Sequence, residues 1–471
     1  MKTESTVSGI SLKEVLIKAF EEELLPTLSK ENPALRTLRL EAFEEFKSLG
    51  FPHQKLEDWR STSLEQALSR DYKIEYSCPE QEIDIKTVFK CDIHHMDTQV
   101  ISMLNGWYSG NDQQLHTLGD GTVYGSLLAA KKAFPDLFHQ YYARQAVCKG
   151  NALNSLNTAF AQDGVFIYVP DGVKARQTIQ IVNIINIFDN IFIQARNLVI
   201  LGKNASLQLI HCDHSVNHRS SFINSVSEIF IGENSVVDHY KLQNKDNDST
   251  QVTSSYFHQE ANSQLTSNIV TLNGGIIRNN LTVTLAGKGC DANLYGLYLA
   301  DKTQHVDNKV NVIHQATDCS SNQLYKGILD DQAMAVFNGH IAVQPDAQRT
   351  NAFQQNKNIL LTDKATIHTQ PHLEIYADDV KCSHGATVGQ LDQDAMFYMR
   401  SRGIREVTSR MLLMYAFAAD VINHIKIKPV HHQIDELVYR RLKGELSDCD
   451  NCILDCNASR PRIFEIDMTK I

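Results

Sequence analysis

The sequence lacks the signatures of most enzyme and membrane classes. No Gly-x-x-x-x-Gly-Lys-(Ser/Thr) loop occurs, and the nearest approach, Gly119-Asp120-Gly121-Thr122-Val123-Tyr124-Gly125, has no lysine and hydroxyl pair for phosphate and magnesium. The chain is therefore not expected to hydrolyse ATP itself. A Gly-x-Ser-x-Gly elbow and a His-Glu-x-x-His helix are also missing, and His94, His95, His211, His214 and His218 carry no catalytic spacing. Long apolar runs are absent: the N-terminus MKTESTVSGI has no signal core, and the stretch Met411 to Ala419 is too short to span a bilayer. These features predict a cytoplasmic chain with no membrane partner. Basic charge is in deficit, with 45 Lys and Arg against 55 Asp and Glu, a net charge of -10 and a pI near 6.0. That balance argues against a nucleic-acid partner, which needs a basic footprint.

Cysteine is thin as well, ten in 471 residues. Cys78, Cys91, Cys148, Cys212, Cys290, Cys319 and Cys382 are scattered, unlike a secreted disulfide scaffold, and reduced thiols are expected. The exception is Cys449, Cys452 and Cys456, a Cys-x2-Cys-x3-Cys cluster in a polar tail. Three close thiols suit zinc or an iron-sulfur cluster, yet no fourth ligand is evident, so incidental or redox-active thiols are the favoured reading. His211, Cys212, Asp213 and His214 also form a ligand-type run, but strand alternation would split it between two faces.

What the chain has is length, a 42% hydrophobic content able to fill a large core, and a repeat. Turns of small polar residues recur at Asn204, Asn234, Asn262, Gly289 and Asp318, spaced 30, 28, 27 and 29 residues apart, and continue loosely at Asp346 and Lys364. Between them lie alternating, aliphatic segments such as Ala195 to Leu201. One such coil cannot bury its apolar face alone, so stacking into a β-solenoid of the parallel β-helix type is expected; a sandwich of regular hairpins is the competing topology.

Helical patterns flank this core. Leu12, Leu16, Phe20, Leu24, Leu35, Leu38, Phe43 and Phe46 have helical spacing interrupted at Pro26 and Pro33. Near the other end Asp392 can cap a helix that stops near Gly403. A second helix carries a seam of Ile404, Val407, Met411, Met414, Ala418, Val421 and Ile425, to be buried on the β-core or against another protein. Pro429 is expected to separate it from a last helix, Ile434 to Lys443, whose Arg440, Arg441 and Lys443 form a solvated basic end. The expected organisation is a helical and mixed domain over 1–150, a β-helix core over 151–391, a helical domain over 392–445 and a cysteine-containing tail over 446–471.

The segment Val380 to Gly389 sets Cys382 and His384 two residues apart, hence on one face of a strand, with Ser383 on the other. A thiol and an imidazole together suit sulfur or iron chemistry, although an isolated Cys-x-His usually just ends a strand. The longer stretch Cys382 to Gly403, CSHGATVGQLDQDAMFYMRSRG, resembles the C-terminal signature of the SufB/SufD family, the paired scaffold proteins of the SUF iron-sulfur cluster assembly system. Its Ser383-His384-Gly385-Ala386-Thr387 wording is closer to the SufD branch than to the His-Glu-Ala wording of the SufB branch. Phe51 to Thr62, FPHQKLEDWRST, resembles a Pro-x-x-x-x-Glu-x-Trp-(Lys/Arg)-x-Thr segment of SufD proteins.

The resemblance implies a parallel β-helix core and a non-catalytic scaffold subunit. It implies pairing with a SufB-like paralogue, docking of the SufC-like ABC ATPase on the C-terminal helices, and a transient iron-sulfur cluster built at the contact between the paralogues. Cys382 and His384 are the residues placed there, His384 as iron ligand or proton-transfer group and Cys382 as a supporting thiol. Further ligands must come from the partner, since clusters generally take four. Cluster type, iron donor, stoichiometry and flavin involvement are left open, and the tail cysteines fall outside the resemblance. Two alternatives stand beside it: a SufB-type paralogue, and a solitary β-solenoid enzyme acting on polysaccharide.

Overall fold

The computed structural model describes residues 11–76, 78, 98–109, 114–186, 189–215 and 219–444. Its centre is a parallel β-solenoid of about 7 turns, with helices at both ends of the chain. Each turn contributes one strand to each of two facing sheets. The first sheet runs from Gly164–Val169 through Ile191–Leu201, Ser221–Ile231, Thr250–Gln259, Ile276–Leu285, His305–His314 and Met334–Val343 to Thr366–Ile375. The second runs from Thr98–Leu104 and Thr178–Ile185 through Ser206–Ser215, Val236–Asn244, Gln264–Asn273, Asp291–Ala300, Ser320–Leu329 and Thr350–Leu360 to Val380–Gly389. Sequence neighbours lie in opposite sheets and pairing is parallel with the strand one coil away, as between Met334 and Thr366. This pairing excludes the hairpin sandwich.

The repeat has a backbone cause. Asn204, Asn234, Asn262, Gly289 and Asp318 all take positive φ, between 54° and 73°. Asn, Asp and Gly tolerate that left-handed conformation best, which is why they recur at one corner of each coil. The loose continuation shifts: the positive φ of the next coil falls on Arg349, three residues past Asp346. A second corner has Lys302 and Asp331 at positive φ; Asp331 fits the same preference but Lys302 does not, and this corner escaped the sequence reading.

Inward-facing Val165, Ile179, Val199, Leu209, Val237, Leu265, Leu294, Val312 and Phe337 fill the space between the sheets. At one end of the coils the filling turns polar. His211 and Asp213 point inward from Ser206–Ser215, and His239, Lys241 and Gln243 from the neighbouring strand; all are buried. Cys212 packs on the opposite, helix-covered face, so the run His211 to Asp213 is divided as alternation requires; the side chain of His214 lies outside the described residues.

The sheets' outer faces are covered differently. The N-terminal elements, Leu12–Ala19, a π-turn Phe20–Leu24, a 3-10 turn Thr27–Lys30 and Pro33–Leu49, pack with Ala152–Phe160 on Phe192, Phe222 and Val252 of the first sheet. A fully buried Arg196–Glu228 pair at 2.5 Å holds the preceding segment, since Glu228 accepts from the backbone N–H of Ala143, Gln145 and Ala146. On the second sheet lie Glu406–Ile422 and Lys428–Leu442. Their attachment is partly ionic: Lys426 meets Asp238, Lys326 meets Asp420 and Arg441 meets Asp301, each at 2.7 Å. Two expectations are corrected here. The last helix begins at Lys428, with Pro429 inside its first turn, where a missing N–H costs nothing. Arg441 is not solvated but buried, donating also to the Leu272 carbonyl. Among the described residues no helix is long and apolar enough to cross a membrane.

Candidate functional site

The two ends of the solenoid are built differently. At its start both sheets finish in short antiparallel pairings, Leu115–Thr117 on Val123–Ser126 and Trp107–Tyr108 on Thr98–Leu104. At its finish Thr366–Ile375 and Val380–Gly389 are the last strands of their sheets, each ten residues long and, among the described residues, paired on one side only. The last strand is exposed over nearly its whole length, and Val388, Ile375 and Tyr376 stand in solvent at 48%, 41% and 62% exposure. Such an uncovered row of backbone donors and acceptors is a template for another strand.

Cys382 and His384 lie on this strand. Register sets Cys382 over Ala352 and His384 over Gln354, both buried residues of the preceding coil. Cys382 and His384 therefore belong to the inward face, as period-two alternation requires, while Ser383 stands over exposed Phe353. They differ in surroundings. Cys382 is half-buried against the solenoid core, and that burial pushes its thiol above the ordinary value, with a backbone hydrogen bond from Ala352 pulling the other way. His384 is exposed.

Beneath them the core becomes polar. Gln354 donates to Gln323 one coil down at 2.8 Å, and the missing side chain of Gly339 makes room for its amide. Beside it Asn356 donates to Tyr298 at 3.1 Å and Asn358 to Asn356 at 2.7 Å. Gln354 Oε1 and Thr369 Oγ1, both buried atoms of the last coils, have no hydrogen-bond partner among the described residues. A buried acceptor left unpaired costs about 1–3 kcal/mol, so this end of the core is incompletely satisfied by the described residues. Sequence reasoning found the Cys-x-His pair but not the glutamine and asparagine ladder under it, because single polar residues in strands look like solvent-facing positions. Cys449, Cys452 and Cys456 lie outside the described residues.

Comparison with known proteins agrees with this architecture. Residues 184–417 match the SufBD core domain of SUF system FeS cluster assembly, and residues 10–181 match the SufBD protein N-terminal region. The chain belongs to the SufB/SufD family. It is 28% identical over 447 residues to an iron-sulfur cluster assembly SufBD family protein of Synechocystis, covering 93% of this chain and 94% of that protein. It is 32% identical over 244 residues to the iron-sulfur cluster assembly protein SufD of Escherichia coli, covering 52% of this chain and 58% of that one. With SufD of Bacillus subtilis it shares 24% identity over 443 residues, 92% and 99% of the two chains. The family's role in iron-sulfur cluster assembly is thus the setting for the bare solenoid end.

The C-terminal helices bear on a second expected surface. Met414, Ala418, Val421 and Ile425 of the seam are buried against Tyr240, Val270, Tyr295 and Leu297 of the second sheet, so the protein's own core is the partner for that half. The other half is not closed: Val407 is 47% exposed, and a cleft of about 380 Å³ opens between Met411, Tyr439, Leu442 and the sheet residues Leu299 and Ile328. On the preceding helix Gln393–Ser401, Phe397 and Tyr398 are exposed at 74% and 59%.

Proposed function

We propose that the chain is the SufD-type scaffold subunit of a cytoplasmic cluster-assembly complex, and that its bare C-terminal coil pairs with a SufB-like paralogue. The observation that carries this reading is the coincidence, on one edge strand, of an open sheet edge, the Cys382 and His384 pair and unsatisfied polar groups beneath. A partner strand laid along Val380–Gly389 would pair its free backbone groups and cover Cys382 and His384 together. A nascent iron-sulfur cluster is then the cargo of the joint. His384 offers an exposed imidazole to iron or to a proton, and Cys382 offers a half-buried thiol beside it on the same face. The remaining ligands come from the paralogue. ATP hydrolysis belongs to a SufC-like ATPase docked at the exposed part of the C-terminal helices, around Val407 and the cleft beside Met411. The tail cysteines and a flavin take no part in this reading.

The polysaccharide reading is disfavoured by what covers the solenoid, because helices occupy much of both outer faces along which a long polymer would lie. Reconstitution with the paralogue and the ATPase tests the proposal. His384→Ala should leave complex formation intact and abolish accumulation of iron and sulfide, whereas Val388→Glu at the open edge should abolish pairing itself. Normal cluster accumulation by the first variant, or normal pairing by the second, would refute the corresponding part.

A further inference from the structure

The outer face of the last coil carries a second group of metal-binding side chains, unconnected with Cys382 and His384. His372 and Glu374 are two residues apart on Thr366–Ile375 and so share a face, and register sets His340 of the neighbouring strand directly opposite His372. The imidazoles stack with centroids 5.4 Å apart and planes 22° apart. One ligand atom from each of the three residues lies within 4.8 Å of the others. Glu374 brings Oε1 to 3.3 Å from His372 Nε2 and Oε2 to 3.5 Å from His340 Nε2.

These separations are informative. Donor atoms held about 2.0–2.2 Å from a tetrahedral ion lie about 3.4 Å from one another. His340 is also oriented from behind: its Nδ1 is 2.7 Å from Asn311 Oδ1, one coil further in. Its buried Nε2 faces the carboxylate and makes no hydrogen bond among the described residues. The set also sits on adjacent, continuously paired strands of one sheet, which fixes the Cβ positions of all three donors.

We propose that His340 Nε2, His372 Nε2 and the Glu374 carboxylate form a site for one divalent first-row transition ion, with Asn311 as a positioning residue. Two imidazoles and one carboxylate suit Fe2+ or Zn2+ and discriminate against Mg2+, which prefers all-oxygen donors. Three protein ligands leave at least one coordination position open, so the ion is exchangeable rather than a structural staple. The site stands on its own observations and holds whether or not the solenoid end pairs with a paralogue.

Anaerobic titration of the full chain with Co2+ as a spectroscopic probe, followed by competition with Fe2+, Zn2+ and Mg2+, tests it. The expected result is one equivalent bound with visible ligand-field bands and no thiolate charge-transfer band, displaced by Fe2+ or Zn2+ and not by Mg2+. His372→Gln and Glu374→Gln should each remove that equivalent without changing the thermal midpoint, because both side chains are on the outer face. Asn311→Ala should keep the stoichiometry and weaken binding about 10- to 100-fold. An unchanged titration in His372→Gln would mean that the three residues form only an imidazolium–carboxylate cluster and would overturn the assignment. Loss of an equivalent that carries thiolate charge transfer would overturn it equally, since the ligands would then include cysteine.

Discussion

The guanidinium carbon of Arg278 lies 3.9 Å from the ring centroid of Trp59, and the same Arg278 donates to Asp307 at 2.6 Å. Thr62 closes the group by donating to Asp307 at 2.5 Å, with His305 at 2.9 Å, and Lys309 reaches Asp58 at 2.6 Å. The segment Phe51 to Thr62 thus pins the N-terminal helices to four residues, Arg278, His305, Asp307 and Lys309, on two strands far away in sequence. Trp59→Ala should cost about 2 kcal/mol, from the lost desolvated cation–π contact, without affecting cluster chemistry. Urea unfolding followed by tyrosine fluorescence would measure it.

Inside the solenoid, Asp213 accepts from Asn183 at 2.8 Å and from Gln251 at 2.6 Å, while Lys241 donates to Thr253 at 3.1 Å. Burial holds Lys241 below the usual lysine value, and its cation helps keep Asp213 ionised. Lys241→Met should destabilise the fold by about 3 kcal/mol, since it takes a compensating cation from a buried carboxylate. Adding Asp213→Asn should recover part of that loss, a non-additivity that a double-mutant cycle detects.

Acid sensitivity follows from the buried imidazoles. Burial lowers His211 to about 3 and His314 to about 4, and holds His239 well below 6.5. The unfolded chain protonates these groups near pH 6.5, so below that pH it binds more protons than the folded chain and stability falls. The loss should set in as pH drops through 6.5 and grow toward 4. Replacing His314 by Gln should flatten the dependence of the urea midpoint on pH between 6.5 and 4, and an unchanged slope would contradict the assignment.

Cys382 and His384 should separate in stability measurements even though both lie on the last strand. Cys382→Ser puts a hydroxyl against the core and should cost about 1 kcal/mol, whereas His384→Ala, at an exposed position, should stay within about 0.5 kcal/mol. Thermal unfolding of the isolated chain distinguishes them.

On the helical side, Val407→Glu and Leu412→Glu change exposed apolar positions. They should weaken capture of the SufC-like ATPase at least tenfold while leaving the thermal midpoint unchanged. Retention of full affinity by both variants would move the docking surface elsewhere.

The legible part of this fold was whatever left a mark on single residues. Left-handed corners favour Asn, Asp or Gly, so Asn204 through Asp318 announced the coil period; Lys302 and Arg349 adopt the same backbone without that side-chain mark and concealed their corners. Cys382 and His384 were legible because alternation gives them a shared face before any pairing is known. Arg441 was misread because one helical pattern does not reveal that Asp301, 140 residues earlier, waits opposite it. The His340, His372 and Glu374 group was invisible for the same reason: register across coils, not sequence proximity, brings His340 to His372.

The unequal ends of the solenoid have a consequence for how far assembly can go. A stack of coils open at both ends would add copies indefinitely and grow into a fibre. Among the described residues one end finishes in short antiparallel hairpins, and the other presents long strands with one open edge. If two such ends met as proposed, each would cover the other's long edge strands and growth would stop at a pair.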